Sequence, residues 1–170
     1  FYKDGRVFRA INKNNISDYA LFLTSGLYDK LVSKKFIVCH SPADPGDFPE
    51  KNFLGYKIIC PQKIPFISYP YEWCFSQLKS AALITLHIQK TALEFGMSLK
   101  DASSYNVQFI GANPVFIDTL SFEKYEEGKP WIAYRQFCQH FLALLALMNY
   151  KGPYFSKLSL LQIDGIPLNI

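Results

Sequence analysis

The period of the hydrophobic pattern changes several times along this chain, and each change predicts a new element. Residues 5–11 (Gly-Arg-Val-Phe-Arg-Ala-Ile) alternate polar and apolar and predict a short strand. Asn14, Asn15 and Ser17 then offer side-chain oxygens suited to cap the first free N–H groups of a helix. From Asp18 to Leu31 the apolar residues Tyr19, Leu23, Leu27 and Leu31 recur at helical spacing, which predicts one helix. Lys35-Phe36-Ile37-Val38-Cys39 reads as a strand. Residues 40–53 hold Pro42, Pro45, Gly46 and Pro49 and read as a loop. The short apolar runs Gly55–Cys60 and Ile64–Tyr69, broken by Pro61 and Pro65, read as strands or extended segments.

The second half is more helical. Ser76 to Phe95 is rich in Ala, Leu and Ile and closes at Gly96, a residue suited to the left-handed turn that ends helices. Such a helix is about 30 Å long. Ala81, Ala82, Leu83, Ile84, Leu86 and Ile88 spread around much of its circumference, which predicts burial on several sides. Val107–Ile110, a turn over Gly111-Ala-Asn-Pro114, and Val115–Ile117 predict a tight hairpin. Pro130 opens a second helix, Trp131 to Tyr150, in which Phe137, Phe141, Leu144, Leu145 and Met148 are expected to pack on the first long helix.

Composition narrows the class. The 170 residues are 49% hydrophobic and 16% aromatic but only 19% charged, which excludes disorder, collagen-like repeats and a coiled coil. The length fits one compact domain. A net charge of +4 from scattered cations reads as a solvated surface, with no stripe for nucleic acid. Cys39, Cys60, Cys74 and Cys138 are dispersed, as are His40, His87 and His140, so zinc and a disulfide framework have little support and a reduced, cytoplasmic protein is expected. No run of about 18 uncharged apolar residues predicts a membrane span, and no membrane partner is expected. The chain opens on Phe1 rather than Met, which suggests a piece of something longer.

Candidate chemistry is concentrated between Leu99 and Asp118. Asp101 is followed five residues later by Asn106, then by a strand, a turn, a second strand and Asp118 at its end. This arrangement resembles the catalytic loop and metal-binding aspartate of the protein-kinase-like superfamily, most closely its small-molecule phosphotransferase branch. The resemblance implies an α+β, kinase-like fold with a reduced small lobe of short strands and a mostly helical large lobe, and so divides the domain into a small-lobe-like section (1–70) and a helical large-lobe section (71–170). It implies Asp101 as the base for a substrate hydroxyl and Asn106 and Asp118 as magnesium ligands against the phosphates of ATP. Ile67-Ser-Tyr-Pro-Tyr-Glu-Trp73 stands where that fold places its interlobe hinge, so Tyr71 or Trp73 would flank an adenine. Arg9, on the first strand, is the nearest cation to the expected lysine. Other readings stand beside these: Asp101 and Asn106 as builders of a polar turn, Tyr71 and Trp73 as packing residues, and Arg9 as a surface side chain.

Several features depart from the family pattern. Leu99-Lys100 replaces the usual His-Arg, and Asp118-Thr119-Leu120 replaces Asp-Phe-Gly. There is no glycine-rich phosphate loop, no Val-Ala-Ile-Lys strand, and no glutamate in the first predicted helix. A second resemblance is broader. Tyr-Pro-Tyr-Glu-Trp73, Phe75-Ser-Gln-Leu-Lys79, Leu99-Lys-Asp-Ala-Ser103, Phe116-Ile-Asp-Thr-Leu-Ser-Phe-Glu123 and Trp131-Ile-Ala-Tyr-Arg-Gln-Phe-Cys138 look like the N-terminal region of large bacterial proteins classed as S-adenosylmethionine-dependent methyltransferases. It implies a methyltransferase domain further along the same protein as partner, and S-adenosylmethionine binding only there. Three readings follow. One is a binding or regulatory module, a pseudokinase attached to that methyltransferase. Another is an active Mg-ATP-dependent phosphotransferase acting on a small-molecule hydroxyl. The third is a purely structural piece.

Overall fold

The computed structural model describes residues 1–44, 46 and 55–168, which form a mixed α+β structure. The alternating N-terminal segment splits into β1 (Tyr2–Lys3), β2 (Arg6–Val7) and β3 (Arg9–Ile11). β1 and β2 make a two-stranded ribbon, while β3 joins a three-stranded antiparallel sheet in the order β3-β5-β4. There β4 is His40–Ala43 and β5 is Lys57–Pro61. The expected strand at 35–39 is displaced: those residues are irregular, and Ile37 meets Phe116 only in a single parallel bridge. Residues 40–43, expected as loop, form the strand instead. Pro42 is tolerated because β4 lies at the sheet edge, where an N–H is dispensable. The rest of the expected loop, apart from Asp44 and Gly46, lies outside the described residues.

The expected helix 18–31 is two helices, α1 (Ile16–Thr24) and α2 (Leu27–Ser33). Gly26 breaks it with φ +84°, a conformation that favours glycine and redirects the chain. Neither Asn14 nor Ser17 caps α1: Asn15 holds the cap position without a side-chain cap bond. Its Oδ1 instead accepts from Lys100 Nζ at 3.4 Å.

The first long helix is α3 (Phe75–Glu94), with Gly96 in the left-handed turn beyond it. Burial is less even than its apolar circumference suggests. Leu78, Ala81, Ile88 and Ala92 are fully enclosed, whereas Leu83 and Leu86 are 46% and 40% exposed. Beyond it the strands interlace. β6 (Met97–Leu99) pairs antiparallel with β9 (Phe122–Lys124), and between them β7 (Val107–Ile110) and β8 (Asn113–Phe116) form the hairpin.

The second helical stretch starts at Tyr134 rather than Trp131, because Trp131 is occupied in donating its indole N–H to Leu99 O at 2.7 Å. α4 (Tyr134–Phe137), a wider π-turn over Cys138–Leu142 and α5 (Ala143–Lys151) follow without a break, and α6 (Leu158–Leu161) is a single turn. Phe137, Phe141, Leu144 and Met148 are buried with α3 in one core, while Leu145 is only half-buried at its margin. Phe22 of α1 stacks on Phe122 of β9 with centroids 4.5 Å apart, so the same core reaches into the first seventy residues.

Residues 64–69 form no ladder. Gln108 substitutes for a strand there: Ser68 N–H donates to its Oε1 at 3.0 Å and its Nε2 donates to Ser68 O at 2.9 Å. Among the described residues, no helix is long and apolar enough to cross a membrane.

Candidate functional site

The hairpin brings Asn106 and Asp118 to the same end of a two-stranded ribbon. Asn106 precedes β7, Asp118 lies two residues beyond β8, and Val107 and Phe116 form the rung between them. Ile117 N–H donates to Asn106 O at 2.8 Å, and Lys100 N–H donates to Ser121 O at 2.8 Å. The segments 100–106 and 117–121 are therefore tied at both ends and run side by side, which places Asp101 in the same region.

The polar groups in this region differ in how far the protein engages them. Asp101 Oδ1 accepts from Ser103 N–H at 2.9 Å, and Ser103 Oγ accepts from Tyr105 N–H at 3.2 Å, so Asp101 also shapes its own turn. Ala102 N–H is held by Gln136 Oε1 at 2.7 Å. Asn106 keeps a buried Nδ2 without any partner, as does the Thr119 hydroxyl next to Asp118. Asp118 is the most heavily committed. Its Oδ1 accepts from Arg9 Nη1 at 2.5 Å and from Leu120 N–H at 3.1 Å, and its Oδ2 accepts from the Ser121 hydroxyl at 2.7 Å.

Arg9 is thus no idle surface cation: the guanidinium of β3 reaches across to the hairpin-end carboxylate. Lys100 makes a second bridge of this kind, its Nζ standing 3.3 Å from Asp18 Oδ2 of α1. Lys100 therefore turns toward α1 and leaves Asp101 without that neighbouring cation.

The two aromatics of the 67–73 segment part company. Trp73 is 2% exposed, packs edge-to-face on Phe109 and donates its indole N–H to Ser68 Oγ at 2.9 Å. An enclosed ring cannot flank an adenine, so the expectation for Trp73 is corrected to a core role. Tyr71 is half-buried and stacks on Tyr69 with centroids 5.4 Å apart. Partial desolvation and the Glu72 carboxylate push its phenol up from the ordinary range.

Sequence reasoning missed the polar groups that hold this loop from beneath. His140, in the π-turn, sits 3.2 Å from Ser104 Oγ through Nδ1. Burial pushes its imidazole down, against an upward pull from Asp101 and Asp164. Gln89 of α3 accepts from Leu99 N–H at 2.7 Å and donates to Ser98 Oγ at 3.1 Å. The available signal was a long amide side chain on the mostly apolar buried side of α3, where burial without a partner is costly.

A second missed cluster lies near β4. Tyr19 hydroxyl and His40 Nε2 are 2.8 Å apart, while His40 Nδ1 is buried without a partner. Burial, helped by the Lys57 charge, pushes His40 down to about 4, and burial first of all pushes Tyr19 up to about 12. Among the described residues, no three His, Cys, Asp or Glu side chains are grouped to hold a metal ion.

No family model matches this chain, and no solved structure matches it. It is 51% identical over 169 residues to the nodulation protein NoeA of Rhizobium meliloti (strain 1021). That alignment takes in 98% of the chain but only 35% of the relative, so the chain spans about a third of the length of the protein it matches.

Proposed function

We propose that this chain is a kinase-like module of a longer protein, binding a nucleotide or a phosphorylated substrate while its own phosphoryl-transfer chemistry has degenerated. The order of β6, polar loop, hairpin, Asp118 and β9 supports the kinase-like reading. So does Arg9 reaching Asp118 from the sheet, since the family resemblance puts a strand cation and that aspartate at one cleft. The observation that carries the loss of chemistry is the Arg9–Asp118 pair itself.

A magnesium ion needs carboxylate oxygens open to it in near-ideal octahedral geometry. Asp118 already accepts from Arg9, Leu120 and Ser121, and the guanidinium neutralises its charge. As arranged, these residues do not fit magnesium. What remains is a partly exposed arginine, able to exchange a carboxylate for a phosphate with similar fork geometry. The share of the relative that the chain leaves uncovered is consistent with a further domain. By the broader resemblance, that domain is a methyltransferase, the site of S-adenosylmethionine binding and the partner this module serves, in the cytoplasm of a bacterium. The likeness to a nodulation protein supports a role for the parent protein in nodulation.

Calorimetric titration with ATP, with and without magnesium, tests this reading. Binding is expected to be independent of magnesium and lost in Arg9→Gln, with no ATP turnover. The second reading, an active phosphotransferase, draws on segments 100–106 and 117–121 lying side by side. Magnesium-dependent ATP consumption that Asp101→Asn removes would establish it instead.

A further inference from the structure

A cavity of about 830 Å³ opens between α2, the irregular segment that follows it, the middle of α3 and the tip of the β7–β8 hairpin. Arg9, Asp101, Asn106 and Asp118 are not among its lining residues. Its volume suits a small organic ligand. Ile37, Ile84 and Val115 form buried apolar walls, and Leu83 and Ile110 stand at the opening 46% and 38% exposed. Large aliphatic side chains left this open on one cavity favour an apolar occupant.

The mouth is basic. Lys34 and Lys35 both line the cavity and are exposed, and among the described residues neither is ion-paired with a carboxylate. The Lys34 ammonium lies 5.5 Å from the centre of the Phe36 ring, which stacks against His87 in turn. Lys35 ends α2 with φ +57°. Its N–H donates to Val32 O and that of Phe36 donates to Leu31 O, both at 2.9 Å. Glycine or asparagine usually takes this closing position. A lysine kept in a strained conformation at a cavity mouth points to a use for its ammonium.

We propose that this cavity binds a small amphipathic anion, an aliphatic carboxylate. Its apolar body lies against Ile37, Leu83, Ile84 and Val115, and Lys34 and Lys35 meet its charge. The site is separate from the Arg9–Asp118 pair and does not depend on the kinase-like reading.

The test uses three probes of equal chain length, decanoate, decanol and decylamine, titrated calorimetrically into the whole chain at neutral pH. Decanoate is expected to bind saturably, decanol about tenfold more weakly, and decylamine more weakly still. Lys35→Gly relieves the backbone strain, so its Tm should rise while decanoate affinity falls about tenfold. Ser80→Trp places a large ring on the cavity wall and should remove binding of all three. Equal affinity for the three probes, or no saturable binding of decanoate, overturns the proposal. So does a Lys35→Gly protein with raised Tm and unchanged decanoate affinity, because Lys35 would then be only a helix cap. Should Ser80→Trp fail to fold, the Lys35→Gly result still decides.

Discussion

Replacing Asp118 with alanine, alone and together with Arg9→Met, measures how firmly the sheet is tied to the hairpin end. A buried hydrogen bond to a charged group contributes about 1.5–3 kcal/mol. The Arg9 and Asp118 side chains are 32% and 22% exposed, so water screens the pair without dissolving it. A coupling of about 1–1.5 kcal/mol is expected from the double-mutant cycle. Asp118→Ala also leaves the Ser121 hydroxyl and Leu120 N–H without their acceptor, each adding about 1 kcal/mol. The single variant should therefore lose about 3 kcal/mol, more than Arg9→Met, whose effect is limited to the pair and its packing. Urea denaturation of the four proteins, at low and at 0.5 M salt, reads both quantities. Because the contact is direct, more than half of the coupling should survive the added salt. Additive single effects, with a coupling below about 0.3 kcal/mol, would refute the idea that this pair links the two parts.

Other perturbations probe the core, the histidine cluster and the 64–69 segment. Leu144→Ala should cost about 2–5 kcal/mol in denaturant unfolding, and Leu145→Ala clearly less, because only Leu144 is enclosed. A reversed order would show that α5 is rotated. His40 is held near pH 4 in the fold, whereas an unfolded imidazole takes up its proton near pH 6.5. The stability it contributes is complete above about pH 6.5 and lost as pH falls toward 4, by about 2 kcal/mol after allowing for partial exposure. Urea midpoints of wild type and His40→Gln across that window check this, and parallel pH profiles would contradict it. Gln108→Ala removes both bonds to Ser68 and should cost about 1–2 kcal/mol. Hydrogen exchange should report faster loss of the Ser68 amide, and unchanged protection there would mean that residues 64–69 are held by other contacts.

Local patterns decided a good part of this structure. The helix over 75–94, the turn at Gly96 and the 107–116 hairpin were legible because a helix and a tight hairpin are specified by residues a few positions apart. The nearness of Asn106 and Asp118 was legible for the same reason, because hairpin pairing alone brings them to one end of the ribbon. What the pattern did not disclose depends on partners far along the chain. Pro42 enters a strand because β5 pairs with only one side of it. Ser68 stays off any ladder while a glutamine forty positions away takes both of its backbone bonds. Trp73 is a core residue because Phe109 packs against it, not because of its own neighbours. Arg9 and Asp118 are 109 positions apart, and no spacing rule connects them. Their contact, which turns an expected metal ligand into half of an ion pair, exists only because the tertiary fold seats the β3-β5-β4 sheet over the hairpin end.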